Sequence, residues 1–401
     1  MQPKPSSRII IIDALRGFAL LGILLAHICH SFAAGPLPTD VHTLGGKTAD
    51  LNLASLGIYR ISEFINAAFV NKKFYPLFTF IFGFSFFLQN NSFIRDNKNV
   101  CVQFYRRSAF LIVIGFIHNL FWIGDILMIY GILMIPLILA RKFNDKVLLI
   151  LGLVFVLNFP GILCGIWQIF AHERLETTDS SKAETFLHVI SNGNLSDILY
   201  FDIKSLPGKL KFQALSGRLF MTLGFFFLGM LAARKNWISS FIAMKNKIYY
   251  VFIITCGAMI VFQLLSMSLN YTNMTNSPSE IMLGSFILSL QSLLAIIFYT
   301  SFLVILNYTD NIHKIFIPLA NLGRTALTSY LMQTAFGLLL FYHIGFGLFG
   351  KTSPNFNVII GVVFFMFQML LANIWLRYYR YGIVEWLLRC ATLGKYQKLM
   401  K

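Results

Sequence analysis

Apolar runs of about 18 to 25 residues recur along nearly the whole chain, separated by short polar segments, and each can cross a hydrocarbon core of roughly 30 Å as a helix. The pattern predicts about ten such helices, near 9–33, 70–90, 108–123, 126–141, 147–171, 214–233, 248–269, 281–306, 325–346 and 356–377. The implied fold class is all-α, a polytopic transmembrane helical bundle with residues 1–401 as a single domain. The polar segments alternate in charge. "NSFIRDNKNVCVQFYRR", "ARKFNDK", "ARKNWISSFIAMKNK" and the tail from Arg377 are rich in Lys and Arg, whereas "IGD" and "NYTNMTNSPSE" carry neither. The positive-inside rule then puts both termini in the cytoplasm, with 378–401 a basic interfacial tail. Residues 34–69 and 172–211 become long extracytoplasmic loops, the first ending in an amphipathic stretch, "IYRISEFINAAF".

Composition agrees: 57% of the 401 residues are hydrophobic, only 12% are charged, and the mean hydropathy of +0.70 excludes an ordinary soluble protein. A net charge of +17 would suggest nucleic acid in a soluble chain, but these basic residues sit in loops and report orientation, so no nucleic-acid partner is expected. Cys29, Cys101, Cys164, Cys256 and Cys390 are scattered singly, without the spacing of a disulfide framework or thiolate metal site. The first apolar run does not read as a signal peptide, because Asp13 and Arg16 interrupt it.

Those two charges raise the question of chemistry, since an ionisable side chain in mid-bilayer costs several kcal/mol, about 2.5 to 3.5 on insertion scales. On the first helix Asp13, Arg16, Leu20 and His27 fall within an arc of roughly 60°, with His27 roughly 16 Å deeper than Arg16 and near the membrane centre. The third run repeats this spacing, with His118 eleven residues after Arg107 and Asp125 in the following turn. Packing of the two helices would bring an imidazole pair, or an imidazole and a carboxylate, into a common cavity. The bland readings are that Arg16 and Arg107 snorkel to headgroups and that the histidines are packing residues. His30 lies near the same face, but HxxH alone offers no third zinc ligand, and no metal is expected.

At these residues the chain resembles the YeiB-like family of bacterial inner-membrane proteins. The resembling blocks are "IDALRGFALLGILLAH", "NKKFYPLFTFIFGFSFFL", "GFIHNLFWIGDILMIYGIL", "LGMLAARKNW", "NLGRTALTSYLMQT" and "GIVEWLLR", in order along most of the sequence. The resemblance implies a multi-pass protein of the bacterial inner (plasma) membrane. It also implies a relation to membrane acyltransferases, which include the acyltransferase type 3 and heparan-alpha-glucosaminide N-acetyltransferase-like proteins. The implied activity is transfer of an acyl group, acetyl for example, from cytoplasmic acyl-CoA to an extracytoplasmic sugar-like or other hydroxyl or amine acceptor. No permanently bound cofactor is implied, and the partners are the lipid bilayer and the small-molecule donor and acceptor, with a homodimer left open. One departure is informative: YeiB-like proteins are expected to carry Asn where this chain has His27, whereas Arg16 and His27 match the arginine-to-histidine spacing of the type 3 acyltransferases.

Acyl transfer requires a base for the acceptor's proton and a donor to steady the oxyanion. The expected assignment makes His27 the base and His118 or Asp125 its partner or acceptor ligand. Arg16, fixed by Asp13, would hold CoA phosphates together with Arg107 and Arg324. Tyr330 and Gln333, with Thr328, are candidate hydrogen-bonding groups, and Glu385 is expected to pair with Arg389 on a C-terminal helix. The rival reading is a small-molecule transporter using a His/Asp/Arg relay, which broken helices in matching halves would favour.

Overall fold

The computed structural model describes residues 7–32, 66–170, 180–244, 247–268, 278–308 and 313–401. The described elements are α1 (Ser7–Ala26), running into a π-helical turn (His27–Phe32), a second π turn (Asn66–Val70), α2 (Phe74–Arg95), α3 (Val100–Asn119), α4 (Leu127–Ala140), α5 (Asp145–Val156) and α6 (Phe159–Phe170). They continue with α7 (Ser180–Asn192), α8 (Leu195–Leu215), α9 (Arg218–Arg234), α10 (Trp237–Ala243), α11 (Ile248–Ser268), α12 (Pro278–Asn307), α13 (His313–Arg324), α14 (Ala326–Phe341), α15 (Pro354–Tyr378) and α16 (Ile383–Leu393). The protein is all-helical, as the pattern predicts.

Among the described residues, six helices are long and apolar enough to span a bilayer: Ile10–Cys29, Asn66–Arg95, Val100–Asn119, Ile248–Met267, Leu283–Asn307 and Asn355–Tyr378. Two further segments are helix pairs, Asp145–Val156 with Phe159–Trp167 and Leu195–Leu215 with Arg218–Arg234, bent by 45° and 61°. Counting each pair as one span gives eight. The expected spans 126–141 and 325–346 are α4 and α14, with 14 and 16 helical residues. At 1.5 Å per residue they reach only about 21 and 24 Å, short of a full crossing.

Polar residues start the helices where the sequence supplies them. Asn99, Asn144 and Ser353 accept hydrogen bonds from backbone amides at the starts of α3, α5 and α15, and Asn194 with Asp197 forms a reciprocal capping box on α8. Residues 180–215, most of the stretch read as a loop at 172–211, are therefore largely helical. Polarity there marks exposed helix faces rather than irregular chain. Of the other long segment, residues 34–65, with most of its amphipathic stretch, lie outside the described residues, and 66–69 belong to the second π turn.

Glu385 takes a role other than the expected pair with Arg389. Its carboxylate accepts from Leu327 N (2.5 Å), Thr328 N (3.1 Å) and Thr328 Oγ1 (2.6 Å), closing the exposed amides at the start of α14, while Arg389 lies over the Tyr381 ring. The backbone offers donors that no other group can satisfy, which a surface ion pair does not. Burial raises the Glu385 carboxyl above its usual range, and these hydrogen bonds act in the opposite sense.

Helices that carry the polar residues touch backbone to backbone. A β-carbon on Gly323 of α13 would lie 1.8 Å from Asp13 O, and one on Gly17 of α1 would lie 2.2 Å from Leu319 O. Gly115 and Gly131 close α3 on α4 in the same reciprocal way. Small residues permit this approach, and in a membrane, where apolar side chains gain little from leaving lipid, close packing is a principal source of helix affinity. Gly323→Val should therefore lower stability by about 1–3 kcal/mol or more, read as the midpoint of thermal unfolding in detergent. Gly165→Ala, whose added carbon meets nothing within 4 Å, should leave that midpoint in place.

Candidate functional site

α3 ends one residue beyond His118, and the turn that follows brings Asp125 back beneath it. Asp125 Oδ1 receives His118 Nδ1 at 2.7 Å, and the same carboxylate accepts from Leu127 N (3.1 Å) and Met128 N (3.0 Å) at the start of α4. The side chains are 6% and 0% exposed, so the imidazole is held in a water-poor setting where hydrogen bonds are strong. On its other side His118 Nε2 meets Thr334 Oγ1 of α14 at 2.8 Å. Carboxylate, imidazole and hydroxyl thus form one continuous chain.

His27 enters from the first π turn, where the helix widens just as it reaches this cluster. Its ring packs edge-on against Trp122 (4.5 Å between centroids) and lies 6.2 Å from Tyr330, while His118 lies 5.9 Å from Trp122 and 5.3 Å from Tyr330. The two histidines therefore share both aromatic neighbours, as the helix-packing argument anticipates. Among the described residues, three buried polar atoms here are left without partners: His27 Nδ1, Gln333 Oε1 and the Tyr330 hydroxyl, which sits beside the Ile126 backbone without closing a hydrogen bond of normal geometry. Native interiors rarely leave such atoms unmatched, so their clustering at one place points to a polar ligand. Gln333 spends its amide nitrogen on Leu20 O and Gln368 Oε1. The side chain of His30 lies outside the described residues.

Lys209 of α8 covers the cluster, donating to Asn119 Oδ1 (2.6 Å) and Asp125 O (2.7 Å). It comes from the segment expected to be a loop. The histidines sit at the far ends of their helices, His118 being the penultimate residue of α3, rather than midway along them. The reason is that Asp125 needs a turn's backbone freedom to reach the ring.

The arginines gather at the opposite end. Arg16 is fixed by Asp13 Oδ1 (2.8 Å), Ser85 Oγ (2.7 Å) and Gly323 O (3.3 Å). Arg107 stands 6.0 Å from the Phe82 ring centroid, feels the charges of Arg16 and Glu385, and makes no hydrogen bond among the described residues. Arg324, whose charge acts on Asp13, reaches Asn321 Oδ1 and Arg380 O at 3.3 and 3.4 Å. It lines an open cleft of about 350 Å³ with Arg380, Tyr381 and Lys401, three residues the sequence reading did not single out. Like-charged side chains held together in this way favour a polyanion.

Sequence reasoning also missed Thr334, Trp122 and Lys209. Thr334 carried a usable signal, because it follows Tyr330 by one helical turn and closes the block "NLGRTALTSYLMQT". Trp122 and Lys209 carried none, since only tertiary packing brings them to the histidines.

Residues 232–395 match the family described as "Protein of unknown function (DUF418)". The chain is 27% identical to Uncharacterized protein YxaH of Bacillus subtilis (strain 168) over 420 residues, covering 100% of this chain and 98% of that protein. It is also 27% identical to Uncharacterized protein YeiB of Escherichia coli (strain K12) over 412 residues, covering 96% of each. No solved structure matches the chain. The YeiB-like resemblance thus holds: the chain is a multi-span membrane protein similar to YeiB and YxaH over nearly its whole length, with residues 232–395 matching the DUF418 description.

Asp125 accepts from three donors, whereas Thr334 makes one hydrogen bond, to His118 Nε2. Asp125→Ala should cost about 3 kcal/mol or more and Thr334→Ala about 1 kcal/mol, because stranded buried donors cost more than a lost neutral bond. Thermal unfolding of the two variants in detergent, side by side, gives the order; equal losses would contradict the assigned network.

Proposed function

We propose that this YeiB-like chain is a membrane-embedded acyltransferase. It moves an acyl group, such as acetyl, from a cytoplasmic acyl-CoA to an extracytoplasmic hydroxyl or amine acceptor, sugars included. The observation that carries this reading is the pairing of an arginine cluster with a buried Asp125–His118 dyad along one uninterrupted helix. Arg107 and His118 are separated by a rise of about 16 Å, comparable to the pantetheine arm that separates the phosphates of CoA from its thioester.

The chemistry follows from the donor and acceptor atoms. Phosphates of the donor engage Arg107, Arg16 and the Arg324–Arg380–Lys401 cleft, which offers bidentate contacts that a single charge cannot. Asp125 holds the His118 Nδ1 proton, leaving Nε2 to receive the proton of the attacking group. The geometry thus favours His118 over His27 as the base. His27, with Nδ1 unpartnered, and the Tyr330 hydroxyl are left to bind the acceptor or the developing oxyanion.

One observation favours transport as a second reading. The two bent helix pairs meet at their breaks, where Asn158 Nδ2 donates to Ser216 O at 3.2 Å and Asn158 Oδ1 and Ser216 Oγ remain unpartnered. Broken helices with free polar groups are the usual site architecture of secondary transporters. These breaks are a separate feature from the histidine cluster, which lies on the π turn after α1, on α3 and on α14.

Purified protein in detergent should bind acetyl-CoA and slowly hydrolyse its thioester. Arg107→Ala should weaken binding about tenfold or more, and His118→Ala should reduce hydrolysis about 100-fold with binding retained. Calorimetry and thiol release measure the two separately. Full binding and turnover in Arg16→Ala, His27→Ala and His118→Ala alike would defeat the mechanism, and absence of any acyl-CoA binding would favour transport.

A further inference from the structure

We propose that Thr334 is the nucleophile of this site and carries the acyl group as an ester between donor and acceptor. The inference rests on the acyl-transfer reading and adds a covalent intermediate to it.

The direction of the hydrogen bonds makes the argument. Asp125 accepts from two backbone amides, which can only donate, so its oxygens act as acceptors and His118 Nδ1 must supply a proton to Oδ1. A neutral imidazole protonated at Nδ1 presents a lone pair at Nε2. Thr334 Oγ1, 2.8 Å away, is therefore the donor of that bond, and its proton already points at the base that would remove it.

Ser108 and Thr328 also turn to other segments, to Gly131 O and Glu385, but most other hydroxyls in these helices bond locally. Thr79, Thr222, Thr255 and Thr392 each donate to the carbonyl four residues earlier, as do Ser85, Ser289 and Ser292. That local bond is the default for a buried helical hydroxyl. Thr334, 2% exposed, gives it up for the imidazole. A second observation points to a reacting group beside it. Among the described residues, Tyr330, one turn earlier on α14, holds a buried hydroxyl without a normal partner, and His27 Nδ1 is likewise unpartnered. An oxyanion formed at a carbonyl attacked by Thr334 would find its donor there.

The steps balance. Thr334 Oγ1 attacks the thioester carbon while its proton passes to His118 Nε2; the C–S bond breaks, and the thiolate leaves with that proton as CoA-SH. The acceptor's hydroxyl or amine then attacks the Thr334 ester, its proton passing to His118. The C–O bond breaks, and Thr334 recovers the proton. Donor and acceptor need not occupy the site together, which suits substrates arriving from opposite sides of a membrane.

The test incubates full-length protein in detergent with acetyl-CoA, and separately with p-nitrophenyl acetate, without added acceptor, followed by rapid quench and peptide mass spectrometry. The expected result is an acetyl ester on Thr334 with either donor, retained in Thr334→Ser and absent in His118→Ala. Thr334→Val, which preserves shape, should lose only the stability of the missing hydrogen bond and remain folded, yet release CoA or nitrophenol about 100-fold more slowly. Wild-type turnover without acetyl on Thr334, or full turnover by Thr334→Val, overturns the proposal while leaving acyl transfer intact. Labelling by the activated ester with acetyl-CoA inert upholds the nucleophile and overturns the CoA assignment. Failure of both donors to react overturns both.

Discussion

Backbone contact between α1 and α13 is the constraint on which the arginine end of the bundle depends. Gly17 and Gly323 let the two helices approach until each occupies the space a β-carbon would take on the other. Arg16 can then use Gly323 O as well as Asp13 and Ser85, and the charge of Arg324 reaches Asp13. At a normal interhelical spacing of 8–10 Å set by larger side chains, that carbonyl would fall out of reach. The guanidinium of Arg16 would then lose that partner, at about 1.5–3 kcal/mol or less given its partial exposure.

The histidine end depends on the same device at a second crossing. Gly115 and Gly131 bring α3 against α4, so the carboxylate of Asp125 can cap α4 and hold His118 with one side chain. One aspartate thus does the work of a helix cap and of an imidazole orienter. This is an economical way to bury a carboxylate, because every added donor offsets part of its desolvation. Distance between the two ends is then set by α3 itself, at about 1.5 Å per residue. The helix thus fixes the spacing between the arginine end and the histidine end.

Much of this was legible in the chain. Apolar runs located the helices; the positions of Asp13, Arg16, Arg107, His118 and Asp125 within or beside them marked where a polar site had to be. Helical geometry was enough to foresee that Asp13 fixes Arg16 and that His27 and His118 stand at matching distances from an arginine, whereas their meeting at Trp122 depended on the two helices packing together. Thr334 was readable only in part, as a hydroxyl on the same face as Tyr330. Glu385 was misjudged because an i,i+4 partner is visible in sequence and the amides of Leu327 and Thr328 are not.

The sequence by itself determined an all-helical membrane protein and the residues available for chemistry, because hydropathy and helical period are local properties. Tertiary structure decided how many helices can span, since α4 and α14 are cut short by the turns that carry Asp125 and Thr325. It decided that a threonine and an imidazole 216 positions apart share a proton, that Lys209 covers Asp125, and that Arg380 and Lys401 join Arg324. Each of these is a contact between segments remote along the chain. Such contacts follow from which helix faces can approach closely, and no pattern within a single helix encodes that.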